Sequence, residues 1–208
     1  MGASNELELD ARDRILRAAS ELFYRNGILA TGVDALIDRA NVAKATFYRH
    51  FPSKDHLVIS WLRGPDARWI DWVVPELERR TDSPLRRLVE FWDVLGDWLE
   101  DHGYLGCPFL NTLAEIRDPE AAARREVESF VAEVEGYFAA TAEEAGLENP
   151  AELARRMRYI SMGLFMAVQL ERSRAAVETA RAAAISLLAN WLGTTPEEIQ
   201  RRVAGSHA

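Results

Sequence analysis

Apolar positions recur along this chain at helical spacing almost from end to end, and nowhere do they alternate as a strand requires. Ile15, Leu16, Ala19, Leu22 and Phe23 mark one face of a helix over residues 10–26. Arg12, Arg14, Arg17, Glu21 and Arg25 occupy the rest of its surface. Asp10 is placed to cap its start and Gly27 its end. Leu36, Ile37 and Ala40 point inward from a short second helix that begins at Thr31 or Gly32. Asn41-Val42 makes a tight turn, because Asn tolerates the left-handed conformation. A third helix runs from about Ala43 to His50, and at roughly 100° per residue Phe47 and Phe51 coincide on one side. Ala45, Thr46, Tyr48 and Arg49 fill the opposite arc, flanked by Lys44 and His50. Two turns of helix cannot stand alone, so the two phenylalanines must clamp it to the first helix.

Proline and glycine punctuate the rest of the chain. Ser53 caps a fourth helix, with Asp55 in its first turn. That helix is expected to break near Gly64-Pro65, with 66–80 helical but bent around Pro75. Ser83-Pro84, Asp118-Pro119, Asn149-Pro150 and Thr195-Pro196 each pair an N-cap with proline at the first helical position. Gly103, Gly146 and Gly193 sit where helices should end. The implied helices span about 84–102, 108–117, 119–145, 150–173, 175–192 and 196–203, and Thr195 with Glu198 forms a capping box. The fold class is all-α: an N-terminal three-helix helix-turn-helix domain over residues 1–63, then a helical bundle over 64–208.

Charge sharpens the division. The net charge is −8, which by itself argues against a nucleic-acid partner. Residues 1–63, however, hold nine basic and eight acidic side chains, leaving the excess of acid to the remainder. From Arg39 to Lys54 there are four basic residues and no acid. A basic patch on an acidic body suits a protein that meets phosphate through one small surface. The exposed arc of the third helix supplies a hydroxyl, a phenol and a guanidinium, groups that contact bases and phosphates.

The segment Ala43-Lys44-Ala45-Thr46-Phe47-Tyr48-Arg49-His50-Phe51-Pro52-Ser53-Lys54 resembles the signature of TetR-type transcriptional regulators, and the matching stretch runs from about Asp10 to Leu62. The resemblance implies a three-helix DNA-binding head followed by an all-helical domain for effector binding and dimerisation. It implies that Lys44, Ala45, Thr46, Tyr48, Arg49 and His50 lie in or beside the major groove, and that Thr31, Tyr48 and Lys54 hold phosphates. Ala45 stands where glycine or proline is frequent in the family, and Asn41 where glycine is common. In the family the fourth helix carries motion from the effector domain to the head, so a break at Gly64-Pro65 is a candidate hinge.

The second domain is rich in large rings. Five of the six tryptophans fall between residues 61 and 98. By resemblance the effector pocket lies among these middle helices, and a small apolar or aromatic effector is expected to meet Trp61, Trp69, Trp72, Trp92, Leu95 and Trp98. Phe109, Leu113, Phe138 and Met162 are candidate opposite walls. Each ring is also a plausible core residue. Asp93, Asp97 and Asp101 lie opposite the Leu88–Leu95–Leu99 face and read as a solvated surface rather than a cation trap. Gly106-Cys107 with Asn111 and Glu115 resembles a Gly-Cys…Asn…Glu pattern in one branch of the family. Asn111 and Glu115, four apart, are placed to share a polar network. Cys107, near a helix start, has the setting of a thiol sensor or of an inert buried residue.

Leu153, Met157, Ile160, Leu164 and Val168 form one stripe, thickened by Met162 and Met166, and Gly163 permits close approach of another helix. Val177, Ala180, Ala184, Leu188 and Trp191 continue on the next helix. With the family resemblance they suggest a four-helix homodimer interface through Met157, Ile160, Leu164, Val168, Ala184, Leu188 and Trp191. A two-fold dimer places two recognition helices on successive major grooves of a palindromic operator in double-stranded DNA.

Other classes fit less well. Four histidines without metal-ligand spacing, and no nucleophile motif, argue against an enzyme. No cofactor is expected. A helical scaffold whose head no longer reads DNA is a rival, opposed by the intact set from Lys44 to Lys54. The start MGASNELELD has neither a basic region nor an apolar core, and Tyr159 to Val168 is about half a membrane span. One cysteine allows no internal disulfide. A soluble cytoplasmic regulator is the expectation, with repressor and activator both open.

Overall fold

Helix caps set the element order. A computed structural model describes residues 10–205, and among them only helices and turns occur. The first four are α1 (Ala11–Asn26), α2 (Val33–Ala40), α3 (Lys44–His50) and α4 (Lys54–Leu62). Then come α5 (Ile70–Arg80), α6 (Pro84–Asp101), α7 (Pro108–Glu115) and α8 (Ala122–Glu144). The last are α9 (Pro150–Glu171), α10 (Ala175–Trp191) and α11 (Pro196–Ala204). Side chains of Asp10, Ser53, Ser83 and Thr195 accept the cap bonds at the starts of α1, α4, α6 and α11. Gly103, Gly146 and Gly193 follow helix ends with φ of 65°, 68° and 61°.

Two caps depart from expectation. Asn149 has φ 50° and makes no side-chain cap bond; it works through its carbonyl, which accepts from Leu153 N–H at 3.2 Å. Asp118 opens a turn instead of a helix: its Oδ1 accepts from Glu120 N–H and its carbonyl from Ala121 N–H. The self-capping Asx geometry delays α8 to Ala122.

The chain divides into two units. The first is the chain as far as Arg68 joined by Cys107–Ser129, the second Trp69–Gly106 joined by the chain from Phe130 on. The first unit thus runs on past residue 63 to Arg68, and α7 and the start of α8 belong to it. Local bonds explain the shift. Gly64 N–H and Ala67 N–H close turns onto Trp61 and Gly64 carbonyls, so the break expected at Gly64-Pro65 stays attached to α4. Arg63 pairs with Glu126, and Glu115 reaches residues 28 and 29.

In the first unit Ile15, Ala19, Phe23, Leu36, Phe47, Phe51, Leu57 and Trp61 are buried. Arg14 Nε donates to the Ala40 carbonyl at 3.2 Å, covering the end of α2 from α1. In the second unit Leu88, Phe91, Trp92, Leu95 and Leu99 of α6 are fully buried. Trp92 stacks on Phe138 at 6.2 Å and donates to the Leu88 carbonyl. The carboxylates of α6 are not simply solvated. Asp93 meets Arg181 at 2.7 Å, and Asp97 meets both Arg174 and Arg80, tying α6 to α10 and α5. α5 continues through Pro75, which costs it one helical bond.

Within this chain nothing closes on Gly163, and a close helix approach lies between α6 and α10. Gly163 has open space where a Cβ would stand, whereas a Cβ on Gly96 would lie 2.7 Å from Val177 Cγ1. There α6 presents bare backbone to the Val177 side chain of α10.

Candidate nucleic-acid interface

The turn before α3 is built as its residues dictate. Asn41 takes φ 51°, ψ 55°, and its N–H and that of Val42 close onto the Asp38 and Ile37 carbonyls. Ala43 then begins α3, its carbonyl accepting from Phe47 N–H at 3.0 Å. Phe47 is wholly buried and Phe51 nearly so, with ring centroids 6.2 Å apart. Arg12 of α1 lies over the Phe51 ring at 5.6 Å. These two rings hold α3 on α1 and fix which arc faces outward.

On that arc Lys44, Ala45, Tyr48 and Arg49 are exposed, and Thr46 and His50 are half-buried. The Tyr48 ring stands edge-on to Phe47 at 5.4 Å and is 43% exposed. Arg49 makes no ion pair among the described residues. Lys44 Nζ sits 3.3 Å from Asp34 Oδ1. Both side chains are largely exposed, so this pair is worth at most about 1 kcal/mol and yields readily to a phosphate. Arg39, counted in the basic patch, is paired instead with Glu21 of α1. Lys54 is half-buried at the first turn of α4, behind the Ser53 cap.

Thr31 stands apart from this set. Its side chain is 2% exposed, and its hydroxyl donates to Gly27 O at 2.7 Å and lies 3.3 Å from Leu22 O. It locks the turn before α2 and has no free donor for a phosphate.

Two parts of the chain match family models: residues 15–60 match bacterial regulatory proteins of the tetR family, and 84–184 match the tetracyclin repressor-like C-terminal domain. The chain is 31% identical to the HTH-type transcriptional activator FasR of Mycolicibacterium smegmatis, over 79% of this chain and 71% of that protein. It belongs to the TetR family. It is thus a DNA-binding transcriptional regulator, and its relatives are regulators, not enzymes. The repressor KstR of Mycobacterium tuberculosis is 43% identical over 40% of this chain and 38% of its own length. A TetR-family regulator from Streptomyces coelicolor has a similar solved structure, with a TM-score of 0.80, 25% identity, and coverage of 86% of this chain and 95% of that one.

The expected effector walls fall in both units of this TetR-family protein. Trp61, Phe109 and Leu113 belong to the first. Trp69, Trp92, Leu95, Trp98 and Phe138 are buried in the second, and Met162 is half-buried. Trp72 is 43% exposed. Trp98 stacks on His102 at 4.0 Å. Trp69 packs between Phe91, Phe130 and Phe165, and its indole N–H has no hydrogen-bond partner. Tyr137, beside Phe91, is pushed up to about 12 by burial, so it stays a neutral phenol. Cys107 is buried at the start of α7.

The expected dimer stripe faces inward. Met157, Leu164, Val168, Ala184 and Leu188 are buried within the protomer, and Ile160 and Trp191 are half-buried. Trp191 Nε1 donates to the Glu148 carbonyl under the Arg156 guanidinium. The outward stripe of α9 is Tyr159, Gly163, Met166 and Leu170, the last 85% exposed. No helix among the described residues is long and apolar enough to cross a membrane.

Proposed function

We propose that this regulator is a cytoplasmic homodimeric repressor that holds a palindromic operator and releases it when a small apolar or aromatic effector binds. The observation that carries the reading is the clamped recognition helix, with Phe47 and Phe51 beneath and Tyr48, Arg49 and Lys44 above. Arg49 and Thr46 read base edges, Ala45 lets the helix approach closely, and Lys44, Tyr48, His50 and Lys54 meet the groove walls and phosphates.

A second copy covers the outward stripe of α9. Tyr159, Met166 and Leu170 make an exposed apolar line at helical spacing. Beside it α10 turns small residues outward, Ala182, Ala183 and Ser186. Large residues on one helix and small ones on the next suit a four-helix contact between two copies.

The effector is received by the aromatic residues of the second unit. A buried donor without a partner costs about 1–3 kcal/mol. The unpaired Trp69 N–H therefore favours an effector that brings a hydrogen-bond acceptor on an aromatic or aliphatic body. An activator is the second reading, favoured by the likeness to FasR over most of the chain.

A gel shift with the promoter next to its own gene tests the proposal. Wild type binds, and Tyr48→Ala and Lys54→Ala weaken binding. Losing Lys54 lowers the salt slope by about one unit per half-site and weakens all sequences alike. Absence of binding to any genomic fragment overturns the reading. Transcription from the same promoter, with and without the protein, separates repression from activation.

A further inference from the structure

The DNA-reading unit has a component far outside its helix-turn-helix. α1 ends at Asn26, and Gly27 turns the chain with φ +85°. The next two amides cannot rejoin α1. Ile28 N–H donates to Glu115 Oε1 at 3.0 Å, and Leu29 N–H to Glu115 Oε2 at 2.7 Å. One carboxylate thus takes two consecutive backbone amides, a charge-assisted pairing stronger than a neutral one. Ile28 is 4% exposed, so without Glu115 its N–H would be left nearly dry. The fit is close: a Cβ at Gly27 would stand 2.9 Å from Glu115 Oε1, and the positive φ of the turn favours glycine.

The turn this carboxylate holds leads directly to the recognition elements. Thr31 N–H closes onto the Ile28 carbonyl at 3.3 Å, the Thr31 hydroxyl onto Gly27 O, and Gly32 then caps α2. α2 in turn sets the Asn41 turn and α3. Glu115 also lines the same cleft, about 470 Å³, as Ile28, Leu29 and Lys54. We infer that Glu115 is a positioning residue for DNA binding, which completes the reading head from a helix 87 residues further along the chain. The family model for the head stops at residue 60 and leaves it out.

The full chain tests this, as wild type, Glu115→Ala and Glu115→Gln. Three measurements decide: amide exchange at Ile28 and Leu29, affinity for the promoter fragment, and its salt slope. Leu88→Ala, a buried change in the second unit, serves as a control for general destabilisation. In Glu115→Ala the two amides exchange at least about tenfold faster, and affinity falls about tenfold, the scale of unmade charge-assisted bonds. The slope stays unchanged because no phosphate contact is lost. Glu115→Gln, which keeps the shape and one acceptor, falls between, and Leu88→Ala keeps wild-type affinity. The inference is overturned if the amides remain protected in Glu115→Ala. Wild-type affinity in Glu115→Ala, or an equal loss in Leu88→Ala, overturns it too. Failure of wild type to bind refutes the operator reading instead, and exchange at Ile28 and Leu29 still judges the clamp.

Discussion

Gly96 of α6 and Val177 of α10 meet without room for a methyl group between them, a Cβ at Gly96 falling 2.7 Å from Val177 Cγ1. The contact is side chain against backbone in a filled interior, with Leu95, Leu99 and Val177 all buried. Replacing Gly96 with Ala gains up to about 1 kcal/mol of helix propensity. Forcing two packed helices apart costs about 1–3 kcal/mol. Overpacking wins, so urea denaturation should give Gly96→Ala a lower midpoint than wild type. Gly163→Ala, with open space at its Cβ, provides the comparison and should not lower the stability of the protomer.

Phe47 and Tyr48 are neighbours with opposite duties. Phe47→Ala removes a wholly buried ring that fixes α3 to α1, at a cost of about 3–5 kcal/mol. Operator binding should fall with the folded fraction of the head. Tyr48→Phe keeps the edge-on ring contact and takes only the hydroxyl. Its denaturation midpoint should match wild type while operator affinity drops. A Tyr48→Phe protein that binds as wild type would remove the hydroxyl from the interface.

Glu76 gives a pH dependence with a definite sign. Hydrogen bonds from Arg79 first, then from Arg80, lower its carboxyl from an ordinary 4.5 to about 2. The folded value lies below the unfolded one. The stabilisation is therefore present above about pH 4.5 and is lost as pH falls towards 2. Denaturation of wild type and Glu76→Gln should differ at pH 6 and converge by about pH 2. A difference that does not shrink over that window would show that these arginines do not stabilise the ionised form.

How much of the fold and of the reading head was legible in the sequence depended on the range of the interaction. Caps at Asp10, Ser53, Ser83 and Thr195, the Asn41 turn and the Phe47–Phe51 clamp are local, and residue type with spacing revealed them. Asn149 and Asp118 are local too, but each residue type has two uses, as a side-chain cap or as a turn residue, and spacing does not choose. The Thr31 hydroxyl turned inward because two carbonyls wait for it there, which no pattern on its own helix announces. Asp97 looked solvated until Arg174 and Arg80 arrived from other helices. Glu115 gave a motif but not a partner, since its amides lie at Ile28 and Leu29.

The two faces of α9 were the hardest to assign, because both are apolar. Periodicity shows that Met157, Leu164 and Val168 share one side and Tyr159, Met166 and Leu170 another, but not which side the protomer itself consumes. The buried state of Met157 and Leu164 decides it. The two stripes should therefore respond differently to substitution. Met157→Ala leaves a cavity and costs about 2–5 kcal/mol of protomer stability. Leu170→Glu with Met166→Glu changes only exposed positions, and within one protomer its effect stays within about 0.5 kcal/mol. In the proposed dimer it places unpaired carboxylates against the facing copy. Sedimentation should then show a protomer of 23.4 kDa where wild type runs as twice that mass. A protomer reaches one half-site, so affinity for the palindrome should fall while the salt slope is about halved. A double variant that still sediments as a dimer would place the contact on some other face.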